Sequence, residues 1–171
     1  AMAVQWAEQN HPRASWLLIH AGQRRHDLAE WIQAEPLMRR ALAIEEARYG
    51  LEHPKVAIGL HNLAQLLQAT NRLPEAEPLM RRALAIDEAS YEPKHRKVAA
   101  CLNNLATLLQ DTNRLPEAEL LMRQALKITK ASYGPKHPNV ATCLNNLAIL
   151  LQATNRLPEA ELLMRQALKI T

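Results

Sequence analysis

Phenylalanine is absent from this chain of 171 residues, glycine occurs four times, cysteine twice, and aromatic residues make up only 4%. Each scarcity excludes something. So few glycines leave no Gly-rich loop to cradle a phosphate, and neither an H-E-x-x-H nor a G-x-S-x-G run occurs. Apolar runs are only a few residues long, so nothing in the sequence reads as a membrane span or a secretory leader. What is present, 48% hydrophobic residues with 22% charged, suits a packed helical array built from Leu and Ala and is far from a disordered composition. A net charge of +4 permits acidic partners without requiring them.

The chain repeats itself. Residues 98–129 recur at 140–171, a step of 42, and of the 32 aligned pairs only three differ: Ala100/Thr142, Thr107/Ile149 and Asp111/Ala153. A third copy begins at Val56, and the second half of a fourth can be read over 34–44. Such a period marks a stack of supersecondary units. The expected organisation is a tag scar at 1–2, a divergent N-terminal repeat or cap over 3–55, and repeats over 56–97, 98–139 and 140–171. The last is cut before its linker, so the chain reads as a piece of something longer.

Within one copy the apolar spacing predicts two helices. Val98, Leu102, Leu105, Ala106 and Leu109 share one helical face. Asn113 stops the first helix in a left-handed conformation, and Pro116 opens the second where its missing N–H costs nothing. So short a connection makes the pair antiparallel. Ala118, Leu121, Met122, Ala125 and Leu126 form the buried stripe of the second helix, which ends near Tyr133-Gly134-Pro135. The expected helices cover 14–26 with 32–48, 55–69 with 74–90, 97–111 with 116–132, and 139–153 with 158–170. No strand is expected.

Tyr49, Tyr91 and Tyr133 all hold one repeat position and read as anchors for helix ends. His11, His53, His95 and His137 recur in the linkers, each without a second ligand nearby, so they read as caps for loop or helix-end backbone and not as metal ligands. His20 and His26 read as surface residues. Cys101 and Cys143, one repeat step apart, are too distant for a disulfide and read as small buried hydrophobes of a reducing, cytoplasmic compartment. Arg39, Arg81, Arg123 and Arg165 each follow a Glu by four residues, the favourable order for a helical ion pair. Arg40 and Arg82 lack that Glu, which concentrates positive potential toward the N-terminal half.

The runs LNNLA (102–106 and 144–148), RLPEAE (114–119 and 156–161), RRALAI and RQALKI, together with the His-Pro linkers, resemble the tetratricopeptide repeat family in its 42-residue, kinesin-light-chain-like form. The resemblance covers 34–171. Residues 3–33, which hold Trp6, Trp16 and Trp31, match poorly, as atypical terminal repeats do. It implies an all-α fold, a right-handed superhelical solenoid of antiparallel helix pairs. It also implies that first helices line a concave groove binding peptide segments of partner proteins.

Periodicity gives an independent pointer to that face. At 100° per residue and with Leu102 at zero, the core positions fall within about 60°, whereas 100, 107 and 111 fall between about 140° and 180°. Comparison with the earlier copy adds Ile58, His61, Gln65 and Ala69 on or beside the same face, and Gly59 off it. The candidate groove is therefore Ile58, His61, Gln65, Ala69, Ala100, Asn103, Thr107, Gln110, Asp111, Thr142, Asn145, Ile149, Gln152 and Ala153. Asn103 and Asn145 read as amides for an extended peptide backbone, while Asn104 and Asn146, with Asn62 equivalent, read as satisfying backbone within the stack.

These readings point to a non-enzymatic protein-interaction scaffold without cofactor. An RNA-binding helical repeat is the alternative class, against which stands a face with no aromatic to stack a base. A sensor or oligomerisation arm of a larger nucleotide-binding signalling protein is a third. Leu163, Met164, Ala167 and Leu168 are expected to remain partly uncovered and to promote end-to-end self-association.

Overall fold

The computed structural model describes residues 14–170. Eight helices run through them in chain order: α1 (Ala14–Asp27), α2 (Trp31–Tyr49), α3 (Pro54–Ala69), α4 (Leu73–Ser90), α5 (Arg96–Asp111), α6 (Leu115–Tyr133), α7 (Pro138–Ala153) and α8 (Leu157–Leu168). No strand occurs among the described residues, and the expected spans agree to within two residues. Ala1-Met2, Trp6, His11-Pro12 and Thr171 lie outside the described residues. Two compact units divide the chain, Ala1–Ile86 and Asp87–Thr171.

Each first helix ends by the same device. Asn71, Asn113 and Asn155 hold φ of 57°, 60° and 59°, the left-handed region that Asn tolerates best after Gly. The next residue then donates back into the last turn: Arg72 to Leu67 O, Arg114 to Leu109 O and Arg156 to Leu151 O, each at 2.8 Å. Ala29 holds the same place in the divergent repeat with φ 57°. Second helices end on glycine where one is present: Gly50 and Gly134 take φ of 83° and 86° and donate to Glu46 O and Lys130 O. Glu92 stands at the equivalent place after α4. Without a residue suited to that conformation, α4 stops at Ser90, one position earlier than its counterparts.

The linker histidines cap the following helices. His53, His95 and His137 accept through Nδ1 from the N–H two residues on, at 3.2, 3.2 and 3.1 Å. Each ring also stacks on the tyrosine that closes the preceding helix, with centroids 4.7, 4.3 and 4.3 Å apart. Lys55 and Lys97 lock the arrangement by donating to the Tyr49 and Tyr91 hydroxyls.

In the first unit α2 packs against both α1 and α3. Leu18, Met38, Leu42, Leu60, Leu63 and Leu67 are buried there. Gly22 lets α1 approach α2: a Cβ at that position would meet Met38 Cγ at 2.9 Å. In the second unit α5 pairs with α6, α6 packs on α7, and α7 pairs with α8.

Four sequence expectations need correction. The buried surface of a first helix is wider than one stripe, since on α5 Ala99 and Leu108 are buried as well as the five stripe residues and the expected Cys101; the helix packs on two sides. On α6, Leu121 and Leu126 are only half-buried, whereas Ile128 and Thr129 are buried. Ala167 on α8 is buried in a cluster with Val140, Ala141 and Leu144, although Leu163 and Met164 are half-buried and Leu168 is 75% exposed. The positive potential expected from Arg82 is offset: no Glu precedes it by four residues, but it pairs with Glu46 on α2 at 2.6 Å.

Candidate functional site

The three pairs of positions that distinguish the last two repeats all lie on the open side of the first helices. Ala100 and Asp111 on α5 and Thr142, Ile149 and Ala153 on α7 are exposed, and Thr107 is half-buried. Asn103, Ala100 and Thr142 come together around a cavity of about 200 Å³, with Asn104, Asn139 and Tyr133 completing much of its wall. Thr107, Gln110, Asp111, Asn145, Ile149, Gln152 and Ala153 are not among its lining residues. Thr107 and Thr142 spend their hydroxyl hydrogens on carbonyls of their own helices, Asn103 O and Pro138 O. In the first unit, Ile58 lines one cavity and Gln65 another, His61 is half-buried, and Ala69 is exposed.

For Asn146 the expected role does not hold. Asn146 Nδ2 donates to the side-chain Oδ1 of Asn103 at 3.2 Å, joining α7 to α5. Its partner is a side chain of the other Asn set and not stack backbone. One acceptor of Asn103 is consequently committed to the scaffold.

A family model of the tetratricopeptide repeat matches residues 13–89, 60–131 and 121–171. The chain belongs to the tetratricopeptide repeat family. Among curated proteins none matches by sequence. Solved structures of similar fold include that of the Podosopora anserina putative kinesin light chain nearly identical TPR-like repeats. It is 24% identical with a TM-score of 0.81, over 98% of this chain and 81% of that one. BtubC (BKLC) from P. vanneervenii is similar at 24% identity and TM-score 0.82, over 99% of this chain and 70% of that one. The apo form of RapI reaches TM-score 0.77 at 16% identity, over 91% of this chain and 55% of that one.

Three tetratricopeptide repeats also carry a buried polar position that the sequence reading passed over. Glu45, Asp87 and Thr129 stand one repeat step apart, and all three are buried. Cys101 and Cys143, with Gly59 at the equivalent position of the earlier repeat, stand 14 residues further on, and the two thiols meet Asp87 and Thr129. Cys101 Sγ donates to Asp87 Oδ2 at 3.1 Å, and burial first, the carboxylate second, push that thiol far up from its ordinary value. Thr129 donates to Ala125 O at 2.8 Å and lies 3.6 Å from Cys143 Sγ, whose thiol burial also pushes up. Neither cysteine is in a disulfide, and both are buried thiols rather than reactive ones. A signal was available: Glu45 follows Ala41 by four residues and Leu42 by three, so a carboxylate sits on the apolar stripe.

His26 keeps part of its ring at the surface. It is half-buried, and its Nε2 has no hydrogen-bond partner. His20 is exposed, packs edge-on against Trp16 at 4.2 Å between ring centroids, and lines a cavity with it. Among the described residues no group of three or more His, Cys, Asp or Glu is placed to hold a metal ion, and no helix is long and apolar enough to cross a membrane.

Proposed function

We propose that this tetratricopeptide array is a non-enzymatic scaffold that binds peptide segments of partner proteins along the open face of its first helices. The observation that carries the reading is where two nearly identical repeats differ. Ala100/Thr142, Thr107/Ile149 and Asp111/Ala153 are the only three differences in 32 aligned pairs, and none of the six residues is in the buried core. Exposed positions on α6 and α8 such as Leu120/Leu162 and Arg123/Arg165 stayed the same. Drift limited only by packing would have touched those as readily.

The deciding experiment is selection of displayed peptides on the whole chain, followed by titration against a variant in which Thr107→Ile and Ile149→Thr exchange the two side chains. The exchange should reorder the affinities of the selected peptides while changing stability by no more than about 0.5 kcal/mol, as surface changes do. An unchanged ranking would overturn the reading. So would tighter, salt-dependent binding of single-stranded RNA, which points to phosphate contacts instead.

A further inference from the structure

One cavity of about 360 Å³ lies in the first unit between α1, α2 and α3, and it is the counterpart of the cavity that holds Asn103 in the second unit. Two repeat steps relate them: Ile19, Glu45 and Tyr49 correspond to Asn103, Thr129 and Tyr133. Their chemistry differs. In the second unit the buried polar group is a hydroxyl already satisfied by Ala125 O. In the first unit it is the carboxylate of Glu45, only 5% exposed, whose Oε2 has no hydrogen-bond partner. A buried carboxylate oxygen left unpaired is costly, and a cation that reaches it recovers that cost.

The cation is not Lys55, the lysine of the cavity wall. Its Nζ donates to the Tyr49 hydroxyl at 2.8 Å, 4.4 Å from that ring's centroid, and no ion pair links it to Glu45. The remaining wall suits an arriving basic side chain. Trp16, 58% exposed at the rim, offers an aromatic face to a cation, and Ile19 and Ile58 offer apolar contact to its methylenes. A guanidinium fits this combination better than an ammonium, because it is planar, stacks on aromatic rings and is more weakly hydrated.

A second unpaired group lies farther along the same seam. Gln23 also lines the neighbouring cavity, of about 280 Å³, where Asn62 Nδ2 is buried without a partner. In the second unit the equivalent Asn146 Nδ2 donates to Asn103 Oδ1. In the first unit Ile19 replaces that acceptor and cannot accept. The free amide hydrogen suits a backbone carbonyl.

We propose that the α1–α3 seam takes a partner segment bearing an arginine, its guanidinium on Glu45 and one of its backbone carbonyls on Asn62 Nδ2. This rests on the peptide-scaffold reading and specifies the partner's chemistry. The test is parallel selection of a random displayed-peptide library on the full chain and on its Glu45→Gln and Glu45→Thr variants. The second variant installs the residue that already fills this place in the second unit. Arginine should be enriched on the native chain only. In a synthetic selected peptide, replacing that arginine by citrulline, which keeps shape and removes charge, should weaken binding at least about tenfold to the native chain and little to the variants.

The citrulline comparison on the native chain needs no variant to fold. Peptides selected without a basic preference, or unaffected by citrulline, overturn the inference and leave the scaffold reading standing. Recovery of no peptide at all overturns both.

Discussion

Ala29 holds a left-handed backbone, φ 57°, at the place where the other repeats use Asn71, Asn113 and Asn155. A Cβ in that region costs about 1–2 kcal/mol, and Asn offsets part of it. Ala29→Asn should therefore stabilise the chain by about 0.5–1 kcal/mol, read as a higher urea midpoint at unchanged m-value; no gain would show that the divergent repeat has adapted elsewhere. The asparagine pair makes the opposite kind of prediction. Because Asn146 Nδ2 bonds Asn103 Oδ1, Asn103→Ala and Asn146→Ala should each destabilise, and the double variant should lose less than the sum by about 0.5–1.5 kcal/mol. Additive losses would mean the bond contributes nothing. The sequence disclosed the turn asparagines because their conformation is a local demand. It did not disclose the pairing, because the partner lies 43 residues away and depends on how two helices meet.

At the scale of the elements, helix spans and capping histidines were legible since both are written within a few residues. The i,i+4 pairs were legible for the same reason: Arg39–Glu35, Arg81–Glu77, Arg123–Glu119 and Arg165–Glu161 all form. What was hidden is that Arg39–Glu35 and Arg123–Glu119 belong to four-membered networks. Arg72 at the start of α4 bridges its own Glu75 and Glu35 on α2, and Arg156 bridges Glu159 and Glu119 in the same way. Burial alone would raise the Glu35 and Glu119 carboxyls, but the two arginines beside each outweigh it and hold them below the ordinary value of 4.5. With folded values depressed, the networks contribute stability above the ordinary carboxylate range and lose it as pH falls through the folded values. Urea midpoints measured from about pH 6 down to pH 3 should thus fall, and the fall should be smaller in an Arg72→Ala, Arg156→Ala variant. Equal slopes in both proteins would reassign the acid sensitivity to other carboxylates. Half-exposed partners keep each network's contribution modest and salt-sensitive.

Across the whole molecule, the chain contains its own control for the effect of position in a stack. Residues 115–129 and 157–171 have the same sequence, LPEAELLMRQALKIT, so intrinsic helix propensity is equal in both. Their settings differ. Met122 is buried and Met164 half-buried; Ile128 is buried and Ile170 half-buried; Leu126 is half-buried and Leu168 exposed. Repeat arrays gain stability from interfaces with their neighbours, so the same residues should open more readily where fewer side chains cover them. Amide hydrogen exchange should accordingly be faster in 161–168 than in 119–126, by about tenfold or more for each ~1.4 kcal/mol of lost interface. Equal protection in the two copies would show that the array opens as one cooperative body, and would remove the ground for treating its repeats as separable modules. That outcome would bear on function too, because a partner lying along several first helices would then bind a rigid face and not stabilise one repeat at a time.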